Sequence, residues 1–315
     1  MWNISTLHNA LLAMTVVLTA PTISIAGNYA LIVGVDECPR FNGPVRRGPR
    51  RLHGAERDAE VIGQMLRDSF GFPAENVKVL TGKNATHANI YAEFKRLAGK
   101  LVSGDQFVFH FSGHGTQCPD EAPIDEQQFD KLDEALCPYD AIATDRKTLI
   151  VDDQLNKWLG ELMSDRITVI LDCCHSGTGI KNPGDPWLVR SLPMAQNRPA
   201  ARQDNDHWSE LTRGVKTPNR RVVALYACRS NQRAYEGPHF RKKRKMGLFS
   251  RYLVEGLTAG KGRADIDRNN VVSVREIIDY ARQKIDTRFN RGRTPAERQE
   301  PYYVSARDQW ALIEQ

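Results

Sequence analysis

Two stretches decide how this chain folds: Gln106-Phe-Val-Phe-His-Phe-Ser-Gly-His-Gly115 and Ile167-Thr-Val-Ile-Leu-Asp-Cys-Cys-His-Ser-Gly177. Each opens on five or six residues dominated by β-branched, aliphatic and aromatic side chains, the pattern of a short strand buried on both faces. Each then breaks into a glycine-flanked turn that carries reactive side chains, and glycine permits both tight turning and close approach of another backbone. In open parallel sheets, ligands sit beyond the carboxyl ends of the strands. If these two strands run parallel, His114 and Cys174 emerge on the same sheet edge.

The pattern extends outward from these two strands. Tyr29 to Val35 is a third continuous apolar run, Val77 to Leu80 a shorter one, and Arg221 to Tyr226 another; Tyr302 to Ser305 reads as an edge strand. Between them, apolar residues recur at helical spacing. They do so over Ala55 to Phe70, after Thr86 (Ile90, Phe94, Leu97), over Asp153 to Met163, over Gly247 to Leu257 and over Ser273 to Arg288. Alternating strands and helices predict an α/β sandwich on a mostly parallel sheet. Residues 176–219 are rich in Gly, Pro, Asn, Arg and Asp with little periodicity, and read as one long loop. Arg241-Lys-Lys-Arg-Lys245 reads as a solvated basic turn.

Composition narrows the class. The 315 residues carry a formal net charge of +6, but the basic residues are scattered without an aromatic-interleaved stripe, so nucleic acid is not an expected partner. The first 26 residues contain no Lys, Arg, Asp or Glu; an apolar stretch from Ala10 to Ala20 leads to Ser24-Ile-Ala26. Small residues at those two positions after a short apolar run resemble a secretory signal peptide, which implies a periplasmic or secreted mature chain with no membrane span. Six cysteines are present (Cys38, Cys118, Cys137, Cys173, Cys174, Cys228) without a C-x-x-C pair, which argues against structural zinc. Adjacent Cys173 and Cys174 are badly placed to pair with each other, so reactivity explains at least one of them better than structure.

A thiol becomes a strong nucleophile when an imidazole takes its proton or stabilises the thiolate. Backbone N–H groups at a glycine-rich turn can then hold the oxyanion of a tetrahedral intermediate. His114 as base, Cys174 as nucleophile, and the N–H groups of Gly115 and Cys174 as oxyanion donors form a complete acyl-transfer set. His175 is adjacent to Cys174 in sequence, so its side chain is expected to point elsewhere.

Phe109-His-Phe-Ser-Gly-His-Gly-Thr-Gln117 and Leu171-Asp-Cys-Cys-His-Ser-Gly177 resemble the two signature blocks of metacaspases, relatives of the caspases, and the resemblance runs from about Tyr29 to the last strand. It implies a caspase-like three-layer sandwich: a mostly parallel six-stranded sheet with helices on both faces. After a signal peptide at 1–26, the peptidase domain would fill 27–315, with a large part over about 27–180, a linker over about 181–219 and a small part over about 220–315. It also implies a cysteine endopeptidase that cuts polypeptides after Arg or Lys, with Cys174 as the nucleophile and Cys173 facing the other way. Asp58 and Asp172 match the carboxylates at the base of the family's P1 pocket, although Ala55-Glu-Arg57 departs from the usual residues before the first of them. Metacaspases are also activated by calcium. Residues 120–153 hold eleven Asp or Glu against three Lys or Arg, and Asp133, Asp152 and Asp153 match family ligand positions, with Asp185 near the fourth, where Lys181 interrupts the pattern. Asp152 and Asp153 would equally suit a helix N-terminus. No organic cofactor is implied, and the family is generally monomeric. Self-cleavage would fall in the 176–219 loop, after Lys181, Arg190, Arg198, Arg202, Arg213 or Lys216. The competing readings are a catalytically silent caspase-fold regulator, which the intact His114 and Cys174 disfavour, and a caspase-like peptidase with another P1 choice.

A further acidic motif, Asp265-x-Asp267-x-Asn269-Asn270-x-x-Ser273-x-x-Glu276, follows EF-hand spacing. Its last four residues also form a capping box, and a structural turn and cap is the favoured reading.

Overall fold

The computed structural model describes residues 26–41, 51–119, 132–174, 187–192, 221–237, 245–258, 263–305 and 311–313. Residues 1–25 of the segment read as a signal peptide, His175, Lys181, Asp185 and most of the linker lie outside these residues.

The strands and helices are, in chain order, β1 (Asn28–Gly34), α1 (Ala55–Phe70), β2 (Val77–Thr81), α2 (His87–Ala98), β3 (Gln106–Ser112), β4 (Gly115–Pro119), β5 (Leu132–Leu136), β6 (Ile150–Val151), α3 (Asp152–Gly160), β7 (Arg166–Asp172), β8 (Leu188–Val189), β9 (Arg221–Tyr226), β10 (Tyr235–Glu236), α4 (Leu248–Thr258), α5 (Val274–Ile285) and β11 (Tyr302–Ser305). Six of the strands form one sheet in the order β11-β9-β7-β3-β1-β2. Its pairs are parallel except β11 against β9. The expected caspase-like six-stranded sheet is therefore present, with β11 on the edge that its short, half-exposed sequence suggests.

Strand alternation sends successive side chains to opposite faces, and each face has its own core. Leu31, Val33, Phe107, Phe109 and Phe111 pack on one side, against α2 (Ile90, Phe94) and α3 (Leu155, Trp158). Ala30, Ile32, Val108, Ile170, Val223 and Leu225 pack on the other, against α1 (Ile62, Leu66), α4 (Phe249, Leu253) and α5 (Ile277, Ile278). Near-continuous apolar strands are what such double coverage demands.

Local signals set the helix ends. Thr86 caps α2 by accepting from Asn89 N. Ser273 and Glu276 form the expected capping box on α5, and Asn270 takes the left-handed conformation at φ 69°. The helix expected over 273–288 ends at Ile285 and continues as a π-helical turn, Asp286–Asn290. The turn at α3 begins one residue early, with Asp152 and Asp153 both in its first turn. Two small sheets were not anticipated: β4-β5-β6 and β8-β10. The second corrects the reading of 176–219 as an undivided loop, because residues 187–192 are drawn into the molecule as a paired segment.

Candidate active site

The register of the central sheet positions the reactive pair. Ser112 of β3 lies opposite Asp172 of β7. His114 and Cys174 each follow two residues later, at the same carboxyl edge, and both are fully buried. Cys173 belongs to the α2/α3 core and Cys174 to the α1/α4/α5 core, the opposite facing expected of neighbours leaving one strand. Burial pushes the Cys173 thiol well up, with Cys174 and Asp172 adding to it, so Cys173 is held as a neutral thiol. All six cysteines are free and buried, so none of them forms a disulfide.

Over this edge lies Trp187-Leu-Val-Arg-Ser-Leu192. Among the described residues, Arg190 is the largest fully buried side chain, unusual for its type and explained by its surroundings. One guanidinium nitrogen donates to Asp58 Oδ2 at 2.7 Å and approaches Glu236 Oε2 at 3.4 Å. The other donates to Ser112 Oγ and to the Asp172 carbonyl at 3.0 Å, and lies 3.3 Å from Asp172 Oδ1. Burial works against the Arg190 charge, but Asp172, Asp58 and Glu236 outweigh it and hold the group firmly protonated. Burial in turn pushes the Asp58 carboxyl up to about 7, against the pull of Arg190.

The pocket walls are fixed from several elements. Asp36, just beyond β1, accepts from Ala55 N at 2.8 Å and so anchors the start of α1, which carries Asp58. Ser112 Oγ donates to Asp58 Oδ2 at 2.7 Å. Gly247 N donates to Asp58 at 3.1 Å, and Ser250 N to Asp172 Oδ2 at 2.9 Å. A Cβ at Gly247 would overlap Asp172 and the Arg190 guanidinium, so the pocket closes on the head group without spare room. Glu236 accepts from His53 N at 2.7 Å and Gly54 N at 3.0 Å. Sequence reasoning named Asp58 and Asp172 but missed Glu236. A carboxylate in a two-residue strand beside unpatterned chain gives no periodic signal.

The backbone of the segment is held just as closely. The Arg190 carbonyl accepts from Gly115 N and from Cys174 N, both at 3.1 Å. These are the two donors expected to hold an oxyanion, and a carbonyl already sits on them. Arg190 N donates to the Ala234 carbonyl at 3.0 Å, and β8 runs antiparallel to β10 through Val189 opposite Tyr235. Beyond Arg190, Leu192 N donates to the Gly115 carbonyl at 2.9 Å and Thr116 Oγ1 donates to the Leu192 carbonyl at 2.8 Å.

The acidic residues assigned to a cation are placed differently. Asp133 and Glu134 on β5 are buried, Asp152 at the start of α3 is largely buried, and Asp153 is exposed. Arg146 donates to Asp133 Oδ2, to the Pro119 carbonyl at 2.8 Å and to Cys118 Sγ at 3.1 Å. Burial, and then Glu134, Asp133 and Asp153, push the Asp152 carboxyl up to about 8. Among the described residues, the three acids whose oxygens gather within 4.8 Å are instead Asp265, Asp267 and Glu276. There, Glu276 accepts from Ser273 N and from the Ile266 and Asp267 N–H groups, which accounts for the gathering as a turn and cap.

A caspase-like α/β fold, with a histidine and a cysteine each two residues beyond one of two paired parallel strands, defines the class of protein. The family model described as "Metacaspase, peptidase C14 domain" matches residues 29–183, and over that span the chain is similar to the metacaspases. Among curated relatives, Metacaspase-1A of Aspergillus oryzae is 32% identical over 162 residues, 49% of this chain and 35% of that protein. Metacaspase-3 of Arabidopsis thaliana is 34% identical over 140 residues, 42% of this chain and 37% of that protein. Metacaspase-2 of the same plant is 27% identical over 238 residues, 72% of this chain and 54% of its own length. The chain thus spans between about a third and about a half of these relatives. A solved protein of Geobacter sulfurreducens shares the fold, with a TM-score of 0.59 at 22% identity, over 92% of this chain and 97% of that one. Among the described residues, no helix is long and apolar enough to cross a membrane.

Proposed function

We propose that the chain is a cysteine endopeptidase that cleaves polypeptides after arginine, and less efficiently after lysine, and that it processes itself at the Arg190–Ser191 bond. One observation carries this reading: Arg190 lies across the site as a substrate would. Its guanidinium is among three carboxylates, its carbonyl oxygen is on the N–H groups of Gly115 and Cys174, and its flanks pair with β10 and β4. The preference for arginine follows from the donor fork. One nitrogen serves Asp58 while the other serves Ser112 Oγ and the Asp172 carbonyl, a division that a single ammonium matches less well.

In the proposed reaction His114 takes the proton from Cys174, and the thiolate attacks the carbonyl carbon of the P1 arginine. The developing oxyanion keeps the two N–H bonds that the ground-state carbonyl already makes. The C–N bond to the next residue breaks as His114 passes its proton to the leaving amine. Water then hydrolyses the thioester, with His114 again as base, and returns the free thiol and a new carboxylate. While Arg190 stays in place the pocket is filled, so the uncut chain is a zymogen in this reading.

Calcium stimulation is the second part of the proposal. Asp133, Asp152 and Asp153, with Glu134 beside them, would hold the ion. The fit rests on Asp133, whose Oδ1 is buried with no hydrogen-bond partner among the described residues. Hard oxygen donors in excess of local positive charge suit calcium, which would neutralise this patch. The site would adjoin β4 and β5, and β4 begins with the donor Gly115. We further take the enzyme to act as an exported monomer, on the strength of its apolar first 26 residues and its family.

The test is mass mapping of the full chain after incubation, beside Cys174→Ala and Arg190→Gln. Wild type should be cut between Arg190 and Ser191 and should hydrolyse an Arg-P1 fluorogenic peptide. Cys174→Ala should do neither, with a loss of at least about 10³-fold. Arg190→Gln should lose that cut while retaining the same nucleophile and base. An uncut wild-type chain that hydrolyses no Arg-P1 peptide would overturn arginine cleavage, and failure on Lys-, Asn- and Asp-P1 peptides as well would leave the silent caspase-fold regulator.

A further inference from the structure

We infer that the site selects an aromatic residue four positions before the scissile bond, through a cradle made by Phe289, Tyr235 and Gly237. This deepens the proposed peptidase reading and rests on it. With Arg190 as P1, the segment supplies Val189 as P2, Leu188 as P3 and Trp187 as P4. Alternation along the segment puts Trp187 and Val189 on one face, and both pack against the α1/α4/α5 core.

Trp187 meets Phe289 edge to face, with ring centroids 4.7 Å apart and planes at 73°. Phe289 in turn meets Tyr235 at 4.6 Å. The Arg293 guanidinium lies over Phe289 at 4.0 Å and over Tyr235 at 5.3 Å. It backs the two rings and favours their electron-rich faces. The floor is Gly237: a Cβ there would overlap Trp187 Cζ3 and lie 2.8 Å from Cη2. An indole fits because that residue has no side chain.

The cradle is held by a π-helical turn and a side-chain network. Phe289 projects from the π-helical turn Asp286–Asn290, and such turns commonly re-aim a side chain at a functional site. Asn290 locks the turn: its Nδ2 donates to Asp286 Oδ1 at 2.6 Å and to the Gln299 carbonyl at 3.0 Å, and its Oδ1 accepts from Gln299 N at 2.9 Å. Gln299 Oε1 then accepts from Tyr235 N at 3.0 Å. One network therefore fixes both rings relative to β10, the strand against which a substrate would pair. The substrate class is an extended peptide of the form aromatic-x-apolar-Arg.

The experiment compares acetyl-Trp-Leu-Val-Arg and acetyl-Ala-Leu-Val-Arg fluorogenic peptides on the full chain and on Gly237→Ala. Wild type should favour the Trp peptide by about tenfold in kcat/KM, from ring packing and burial together. In Gly237→Ala the Trp-to-Ala ratio should fall to near one. Equal rates on the two peptides, or an unchanged ratio in the variant, would overturn the cradle while leaving arginine cleavage standing. Hydrolysis of neither peptide would take the arginine-cleaving reading down and the cradle with it.

Discussion

Two arginine–carboxylate clusters among the described residues are built on opposite plans. At Arg190, Asp58, Asp172 and Glu236 converge on one guanidinium that has no exposed surface, and each carboxylate is fixed by N–H or hydroxyl donors from another element. At Arg146, the side chain is 20% exposed and forms an ion pair with Asp133, while Glu134, Asp152 and Asp153 crowd nearby. The first cluster is shaped to a planar fork arriving from a separate segment. The second has charge without shape, and its cation comes from a neighbouring turn. Preorganised donors reward one particular cation, whereas an unshaped excess of carboxylate oxygen accepts any hard cation that reaches it.

The comparison breaks most visibly if one carboxylate is neutralised in each cluster. Asp172→Asn should lower kcat/KM for an Arg-P1 peptide by about a hundredfold or more, because a buried, hydrogen-bonded charge partner is lost. With a calcium chelator present, Asp133→Asn should cost far less in that assay, since its partner Arg146 keeps the Pro119 carbonyl and some contact with water. Similar losses from both variants would mean that the clusters are not functionally distinct.

Calcium titration sharpens the second half. Measured by calorimetry on Cys174→Ala chain, which cannot process itself, Arg146→Gln should tighten calcium binding by about tenfold, because the resident cation is gone. Arg146→Lys should stay near the parent. Weaker binding in Arg146→Gln would make Arg146 a support of the acidic patch rather than a rival for it.

The two clusters also differ in how far the sequence disclosed them. The six strands of the main sheet were legible because burial on both faces enforces unbroken apolar runs. His114 and Cys174 were legible because each follows such a run at a glycine-bounded turn. Asp58 was legible only through the family resemblance, as the match to one of its pocket carboxylates. Glu236 was not, since β10 has only two residues. Nor was the placement of Arg190. Six basic residues in the 176–219 region were equivalent as sequence, and only the three-dimensional match between Leu188–Leu192 and the edges of β10 and β4 singles one out. For the acidic patch, counting carboxylates located the charge but could not foresee that Arg146 would already be bonded to Asp133.

A further expected effect concerns the proton rather than the substrate. Asp58 has an ordinary carboxyl value of 3.8 when exposed and about 7 in the folded chain, raised by burial before any other cause. The folded state therefore binds this proton more tightly than the unfolded state between those limits. By linkage, the associated stability is fully present below about pH 4 and is lost as pH rises through about 7. Glu236 is raised by burial as well and adds to the slope with the same sign. Melting temperature measured in steps across this range should fall with pH, and Asp58→Asn should flatten part of that fall because the amide has nothing to titrate. A slope that is the same in the variant would place the proton elsewhere in the Arg190 cluster. The direction matters for the proposed zymogen: rising pH ionises Asp58 beside Arg190, strengthening the hold on a guanidinium while weakening the folded frame that presents it.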